Sequence, residues 1–365
     1  VISPLLDKLV RYAVTPDGFE LLPATQADVD AWLERVRPAQ PQHPRRDLGP
    51  AEIRDLDVLR NPDTAAFGAK AVNLGELRTI FPAEMVPDGF AIPFSFYDRF
   101  MTANGLYDRA RAMITDPDFQ ADPAAREGML ESFREEHVRD GDMPEDLASK
   151  IGELQSWFPA DRGIRCRSST NNEDVEGFNG AGLYDRFTHR PDEGKLTKTI
   201  KQVWASLWNF RAFDEREFHR IDHLEAAMGV AVHPNFDDEI ANGVAVTKNP
   251  YEPNWPGFYV NVQVGESLVT NPDPNAVPDE LLISAIGPNG EWETQFIRNS
   301  SLTTDGRPVL DDEQRDRLRR AMQTLHAHFR RVYRRQSDPA FAMDIEFKVD
   351  AAGQMVIKQA RPWVD

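Results

Sequence analysis

Arg165-Cys-Arg-Ser-Ser-Thr-Asn-Asn-Glu-Asp-Val-Glu-Gly-Phe-Asn-Gly-Ala-Gly-Leu-Tyr-Asp-Arg-Phe187 is the stretch on which the reading of this 365-residue chain turns. A short run ends on Arg167, and three hydroxyls follow at Ser168, Ser169 and Thr170. Then come an acidic pair, Glu173 and Asp174, and a turn built on Gly177, Gly180 and Gly182. Arginine presents a fixed fork of donors that matches phosphate oxygens. Glycines let backbone N–H groups close around an anion with no side chain in the way. The combination points to a cradle for a polyphosphate, and so to a nucleotide.

The bulk charge narrows the partners. A net charge of −18 argues against a nucleic acid, whose binding rests on neutralising phosphates. It also means that a bound ATP must be met locally by arginine, lysine and a metal, against the field of the whole molecule. No apolar run approaches the roughly 20 residues that cross a bilayer, so no membrane partner is expected. The first residues lack a basic segment followed by an apolar stretch, the mark of a secretory leader. A single cysteine, Cys166, rules out an intramolecular disulfide and fits a reducing, cytoplasmic compartment. Lying between two arginines in an apparent strand, it reads as a buried structural thiol rather than a nucleophile.

Outward from that stretch, the order of elements gives an α+β chain of two lobes. Residues 1–50 read as an N-terminal arm and linker: a short apolar helix, a second helix from Gln26 to Val36 capped by Thr25, then four prolines between Pro38 and Pro50 that prevent regular structure. The first lobe is expected over 51–235 and the second over 236–365. In the first, Phe67-Gly68-Ala69-Lys70 opens a helix running to Leu77, and Ser95 is placed to cap a helix holding Tyr97 and Phe100. Residues 104–160 look helical, broken at Asp116-Pro117 and Asp122-Pro123, and 195–219 reads as one long packed helix. In the second, strands are expected at 243–249, 257–264 and 281–284, a helix at 311–335, and a hairpin of 341–349 with 354–359.

Several side chains could carry chemistry. Lys70, at a helix start after a Gly-containing turn, could reach a phosphate where the helix N–H groups add positive potential; alone it reads more often as a solvated surface charge, and the pairing with Arg167 changes that balance. Asp344 and Glu346 stand two apart on a strand and so share a face, with Gln359 and Arg361 on the facing strand. Their hard oxygens suit Mg²⁺, which takes one or two protein carboxylates plus substrate phosphates; the competing reading is a solvated sheet face with a surface ion pair. Glu266, at a strand end, could hold a ribose hydroxyl or an adenine amino group, or simply be exposed. His219 and His223, four apart, could clip a metal, though no third ligand is evident and a solvated pair is the plainer reading.

Taken in order, these residues resemble the nucleotide-binding domain of pyruvate phosphate dikinase and phosphoenolpyruvate synthase, an ATP-grasp domain found also in rifampicin phosphotransferase and the glucan water dikinases. The family's Gly-Gly-Lys-Gly-x-Asn-Leu and Pro-x-Gly-Phe are similar to Gly68-Ala-Lys70-Ala-Val-Asn73-Leu74 and Pro87-Asp-Gly89-Phe90. Its Val-Arg-Ser-Ser…Glu-Asp…Phe-x-Gly resembles Cys166-Arg167-Ser168-Ser169…Glu173-Asp174…Phe178-Asn-Gly180, and Gly180-Ala-Gly182-Leu-Tyr184-Asp185 is nearer to the glucan dikinases. Val203-Trp-Ala-Ser-Leu-Trp-Asn209-Phe-Arg211-Ala212, Gly243-Val-Ala-Val-Thr247-Lys248-Asn249-Pro250 and Asp344-Ile-Glu346-Phe347…Lys358-Gln359-Ala-Arg361-Pro362 continue the match from about residue 65 to 365.

The resemblance implies ATP in the cleft between two lobes, with Lys70, Arg167 and Arg361 as catalytic residues and with Lys70, Arg167, Gly180, Gly182, Lys248, Glu266 and Gln359 around the nucleotide. It implies Mg²⁺ on Glu346, Gln359 and Asp344. In that family a phosphoryl group of ATP passes to a histidine on a separate swivelling domain, which delivers it to an acceptor. That carrier, Thr-Gly-Gly-x-x-x-His in the family, has no counterpart here, so the expectation is a fragment of a dikinase-type phosphotransferase. Ala69 and Ala71 replace glycines beside Lys70, and His233 stands where the family has a glutamine near the adenine. Two other readings stay open: a stand-alone ATP-grasp kinase or adenylyltransferase acting directly on an acceptor, and a non-catalytic nucleotide-binding module.

Overall fold

The computed structural model describes the chain apart from residues 1, 2, 7, 16, 17, 176, 179, 181, 237, 253, 254, 268, 270–272, 274, 286–290, 364 and 365. The chain is α+β, built on two larger sheets and a detached hairpin. The hairpin, β1 (Val10–Thr15) and β2 (Gly18–Pro23), stands where a short helix was expected. Val10, Tyr12 and Val14 alternate with a period of two and are β-branched or aromatic, the pattern of a strand and not of a helix. The helix Gln26–Val36 follows as expected, with Thr25 and Asp28 forming a capping box.

The first sheet runs in the order β3 (Arg54–Asp55), β4 (Phe90–Ile92), β7 (Met228–Pro234), β5 (Ile164–Thr170), β6 (Arg186–His189), wholly antiparallel. One face packs on helices through Phe94, Phe100, Trp204 and Trp208, all fully buried. Asp116 and Asp122 each cap a helix whose first residue is proline, so those breaks fall where the sequence sets them. Ser95 does not cap its helix; the helix Phe94–Ala103 starts after Pro93, and the Ser95 hydroxyl donates to Pro50 O at 2.5 Å. The expected single helix over 195–219 is two, Leu196–Ala205 and Phe210–Phe218, with a 3₁₀ turn between. Asn209 makes the break: its side chain donates to Leu183 O and Asp185 Oδ2 and accepts from Arg134, tying this corner to the glycine-rich segment.

The second sheet is ordered β11 (Trp292–Arg298), β10 (Asp279–Ala285), β9 (Gly257–Val264), β8 (Glu239–Val246), β12 (Met343–Asp350), β13 (Met355–Pro362), again antiparallel. Val260, Val262, Leu281, Ile283, Ile345 and Phe347 form its apolar face, buried with Leu318, Met322, Leu325 and Phe329 of the helix Asp312–Val332. The other face is polar. Asp344, Glu346 and Lys348 alternate along β12 on that side, since Ile345, Phe347 and Val349 are the core residues.

One helix joins the two sheets. Ala69–Arg78 belongs in sequence to the first sheet's segment, yet Leu74 and Leu77 are buried in the second sheet's core. Asn73 fixes it there: its Nδ2 donates to Ala360 O on β13 at 2.9 Å, and its Oδ1 accepts from the Tyr333 hydroxyl at 3.0 Å.

Candidate functional site

The register of the strands sets the site row by row. On the first sheet Arg165 lies opposite His233 on β7 and Thr188 on β6, and Arg167 opposite Ala231 and Arg186. On the second sheet Glu346 lies opposite Gln359, and Asp344 opposite Arg361. A cleft of about 300 Å³ lies between these faces, lined by Arg165, Arg167, Arg186, His233, Glu266, Glu346 and Lys358 among others.

Arg167 closes the two faces on each other. Only 7% exposed, it donates from Nη1 to Lys358 O at 2.7 Å and from Nη2 to Gln359 Oε1 at 2.5 Å and Glu346 Oε2 at 3.1 Å. Burial alone would raise the Glu346 carboxyl, but Arg167, then Arg186, Lys358 and Lys70, overcome it and hold it at about 2. Glu346 is therefore an anion at any ordinary pH. Its Oε1 has no hydrogen-bond partner among the described residues.

Lys70 sits in the first turn of Ala69–Arg78, its Nζ 2.6 Å from Glu173 Oε1, both side chains largely buried. Gly68 ahead of it has φ +79°, and a Cβ there would lie 2.5 Å from the Ser169 carbonyl carbon. Only glycine fits so close to β5, and the approach lets Ser169 Oγ accept from Ala71 N at 3.1 Å. The Ala71 methyl is buried in the core under the second sheet. Arg361 donates from Nε and Nη2 to Asp344 Oδ2 at 2.8 and 2.6 Å, so this carboxylate is engaged by its cross-strand neighbour.

Of the remaining candidates, Glu266 is exposed and lines the cleft. Gly180 is buried against Glu173, while Gly182 is exposed with φ +70°; residues 176, 179 and 181 of the same loop lie outside the described residues. Lys248 is not brought into the cleft. Lying just past the end of β8, it sits over the Trp363 ring at 4.8 Å and lines a separate cavity of about 380 Å³ with Trp255, Trp292 and His326. His219 and His223 are buried rather than solvated: His223 Nδ1 accepts from Arg216 Nε, its Nε2 meets Glu217, and His219 meets Glu215. Cys166 is buried as expected, its thiol pushed up to about 12 by burial.

Sequence reading missed the cations that surround these groups. Arg165 shares the face of Arg167 by its spacing of two, a signal available in the sequence; Arg186, Lys348 and Lys358 needed the register. Lys348 is fully buried with its Nζ 3.4 Å from the Phe236 ring centroid, and burial draws its ammonium down to about 8.

The donor set fits a hard divalent cation. Glu346 Oε1 has no partner among the described residues, Gln359 supplies an amide oxygen directly opposite, and Asp344 adds a carboxylate one row on. With Asp344 engaged by Arg361, Glu346 and Gln359 leave most of an octahedron to phosphates and water, the usual division for Mg²⁺.

Residues 64–364 match the family described as pyruvate phosphate dikinase, AMP/ATP-binding domain. Among curated relatives, the chain is 25% identical over 326 residues to a probable phosphoenolpyruvate synthase of Methanocaldococcus jannaschii, covering 84% of this chain and 26% of that protein. It is 24% identical over 220 residues to a rifampicin phosphotransferase of Bacillus cereus, covering 60% of this chain and 25% of the relative. The chain thus spans about a quarter of the length of these two. With the match running through both sheets and the helix that joins them, the chain belongs to the AMP/ATP-binding domain family of pyruvate phosphate dikinase.

Proposed function

We propose that the cleft is a nucleotide site of the ATP-grasp type, its two lobes formed by 51–235 and 236–365. ATP lies between them with its phosphates at Lys70 and Arg167, Mg²⁺ on Glu346 and Gln359, and the nucleoside toward Glu266. On this reading the chain is the ATP-binding unit of a dikinase-type phosphotransferase, and the phosphoryl group goes to a histidine of a carrier domain outside this sequence, which serves an acceptor of its own.

The observation that carries the reading is the pairing of Arg167 on one sheet with Glu346 and Gln359 on the other. Cation and oxygen donors converge at one point of a cleft, where a polyphosphate and its metal would replace their mutual contact. Phosphoryl transfer asks little covalent chemistry of a protein; it asks for positioning and for charge neutralisation. Glu346 and Gln359 would hold Mg²⁺, which would supply neutralisation of the phosphate charge. Arg167 would turn its donors from Glu346 and Gln359 to the phosphates, and Lys70 would do the same from Glu173.

Calorimetric titration with ATP and Mg²⁺ tests the site. Binding is expected, and Glu346→Gln should weaken the Mg²⁺-dependent part roughly 10–100-fold, the equivalent of about 1.5–3 kcal/mol for a charged contact. No nucleotide binding at millimolar ATP overturns the reading. The carrier step is tested on the longer polypeptide or an added carrier domain, by following β-labelled ATP into an acid-labile, base-stable phosphohistidine.

A further inference from the structure

The β5–β6 pair sets Arg167 and Arg186 directly opposite each other on the cleft face. Like charges at facing positions of an antiparallel pair oppose folding. Arg167 is satisfied by Glu346, Gln359 and the Lys358 carbonyl. Arg186 is not: it is exposed at the cleft wall and has no hydrogen bond or ion pair with any described residue.

Arg165 stands beside the pair on the same face. Its guanidinium donates to Thr188 Oγ1 at 2.6 Å and forms no ion pair with a carboxylate among the described residues, and burial together with Arg186 and Arg167 draws it down to about 10. Lys358 completes the wall and has Glu239 at 3.6 Å. Four cations, Arg165, Arg167, Arg186 and Lys358, therefore line the cleft against three carboxylates, Glu239, Glu266 and Glu346. Glu346 belongs to Arg167, Glu239 to Lys358, and Glu266 is exposed. Arg165 and Arg186 are left over. In a chain of net charge −18, two unneutralised guanidinium groups side by side in a cavity mark a place for an anion from outside.

We propose that Arg186, backed by Arg165, is an anion-binding residue of the cleft that takes a phosphoryl group of the bound nucleotide, in a contact separate from that of Arg167. The proposal rests on the nucleotide reading of the cleft and adds a residue to it. A phosphate between the Arg165 and Arg186 guanidinium groups turns their repulsion into a shared attraction, with Arg186 able to offer two parallel N–H donors. Arg186 has a second property that Arg167 and Lys70 lack. Those two must release Glu346 and Glu173 before they bind, whereas Arg186 breaks no internal contact, so it makes the first phosphate contact as the nucleotide enters.

The test is Arg186→Gln, with ATP·Mg²⁺ and inorganic tripolyphosphate as probes and thermal unfolding of the ligand-free protein as the control. Loss of the charge should weaken both probes 10-fold or more and flatten the salt dependence of binding, while the melting temperature stays level or rises because a like-charge pair is relieved. Arg186→Lys should recover part of the affinity, a point charge without the fork. If the wild type binds ATP and Arg186→Gln binds both probes within twofold of it, the proposal fails and the nucleotide site stands. If affinity and melting temperature fall together, Arg186 is structural and the proposal also fails. If the wild type binds tripolyphosphate through Arg186 but not ATP, the anion site stands and the nucleotide reading falls. If it binds neither probe, both fall.

Discussion

His233 shows how much one side chain can decide about the ligand. Its Nδ1 lies 2.8 Å from Pro234 O, a carbonyl that can only accept, so Nδ1 carries the proton. Burial, then Arg167 beside it, draws the imidazole down to about 3, and Arg165 and Lys358 add to this while the Pro234 bond opposes it. The ring is therefore neutral, and Nε2 is a buried acceptor with no partner among the described residues, in a side chain that lines the cleft. An acceptor in that place asks for a donor. The 6-amino group of adenine is one, whereas the 6-oxo group of guanine or hypoxanthine is a second acceptor. Competition titrations should show ATP preferred over GTP and ITP by roughly 10-fold or more, a neutral hydrogen bond plus the cost of an unpaired acceptor. His233→Phe should bring the three together; equal affinities in the wild type would refute the assignment. The same histidine makes stability depend on pH. Its folded pKa lies below the ordinary value near 6.5, so between about 6.5 and about 3 the unfolded chain holds a proton that the folded chain does not. Stability should fall as pH drops through that window, by up to about 1.4 kcal/mol per pH unit from this group, and be flat with respect to it above. Denaturant titrations at pH 7, 6 and 5 on wild type and His233→Phe measure the difference in slope.

Among the elements, the helix Ala69–Arg78 positions the site, because it is the piece that both sheets share. Gly68 lets it lie against β5 and Asn73 anchors it to β13. Gly68→Ala should therefore cost more than a left-handed residue alone. The Cβ meets the Ser169 backbone at 2.5 Å, so β5 or the helix must move, and a loss of about 3 kcal/mol or more is expected in chemical unfolding. Gly182→Ala is the matched control: it has a similar positive φ but no atom of the described residues within 4 Å of the added Cβ, and should cost only about 1–2 kcal/mol. Equal losses would show that the contact with Ser169 carries no weight. The same scale shows where the sequence could be read. The closing hairpin was legible because apolar Ile345, Phe347 and Val349 alternate with Asp344, Glu346 and Lys348, and a period of two fixes which residues share a face. The break in the helix over 195–219 was hidden, because Asn209 fits a helical pattern until its side chain finds Leu183 and Asp185, 24–26 residues earlier. The first hairpin differs from the short apolar helix expected there, and Val10, Tyr12 and Val14 carry the strand signal. Pairing Arg167 with Glu346, 179 residues apart, was beyond spacing and came from resemblance; the facing of Arg167 and Arg186 came from neither and needed the register.

Over the whole molecule, packing divides the chain unevenly. The cores under the two sheets hold the buried apolar residues, whereas β1, β2 and the helix Gln26–Val36 bury none. That first segment is held by its own strand pairing and its own cap. Ties to the rest become dense only afterwards. Arg37 donates to Glu217 O and Phe218 O, and Gln42 exchanges backbone hydrogen bonds with 220–222 and donates from its side chain to His219 O. Arg46 then reaches Leu224 O and Tyr107, and Asn171 Nδ2 fixes the incoming chain by donating to Arg45 O. The linker 38–50 is thus irregular yet fixed: its prolines exclude helix and sheet, and side chains of the first-sheet segment supply the partners its backbone would otherwise lack. A cut between the two kinds of segment should separate them cleanly. Removal of residues 1–36 deletes no core side chain and no side chain of the cleft, so the shortened protein should unfold cooperatively within about 2 °C of the full chain and bind ATP with unchanged affinity. Removal of 1–46 also strips Arg37, Gln42 and Arg46 from the corner that holds His219 to Leu224, and exposes carbonyls that those side chains satisfy. Several hydrogen bonds at about 1 kcal/mol each should then lower the melting temperature by several degrees. Differential scanning calorimetry of the two truncations tests this. A large loss on removing 1–36, or none on removing 1–46, would mean that the boundary between appended and integral chain lies elsewhere than at Arg37.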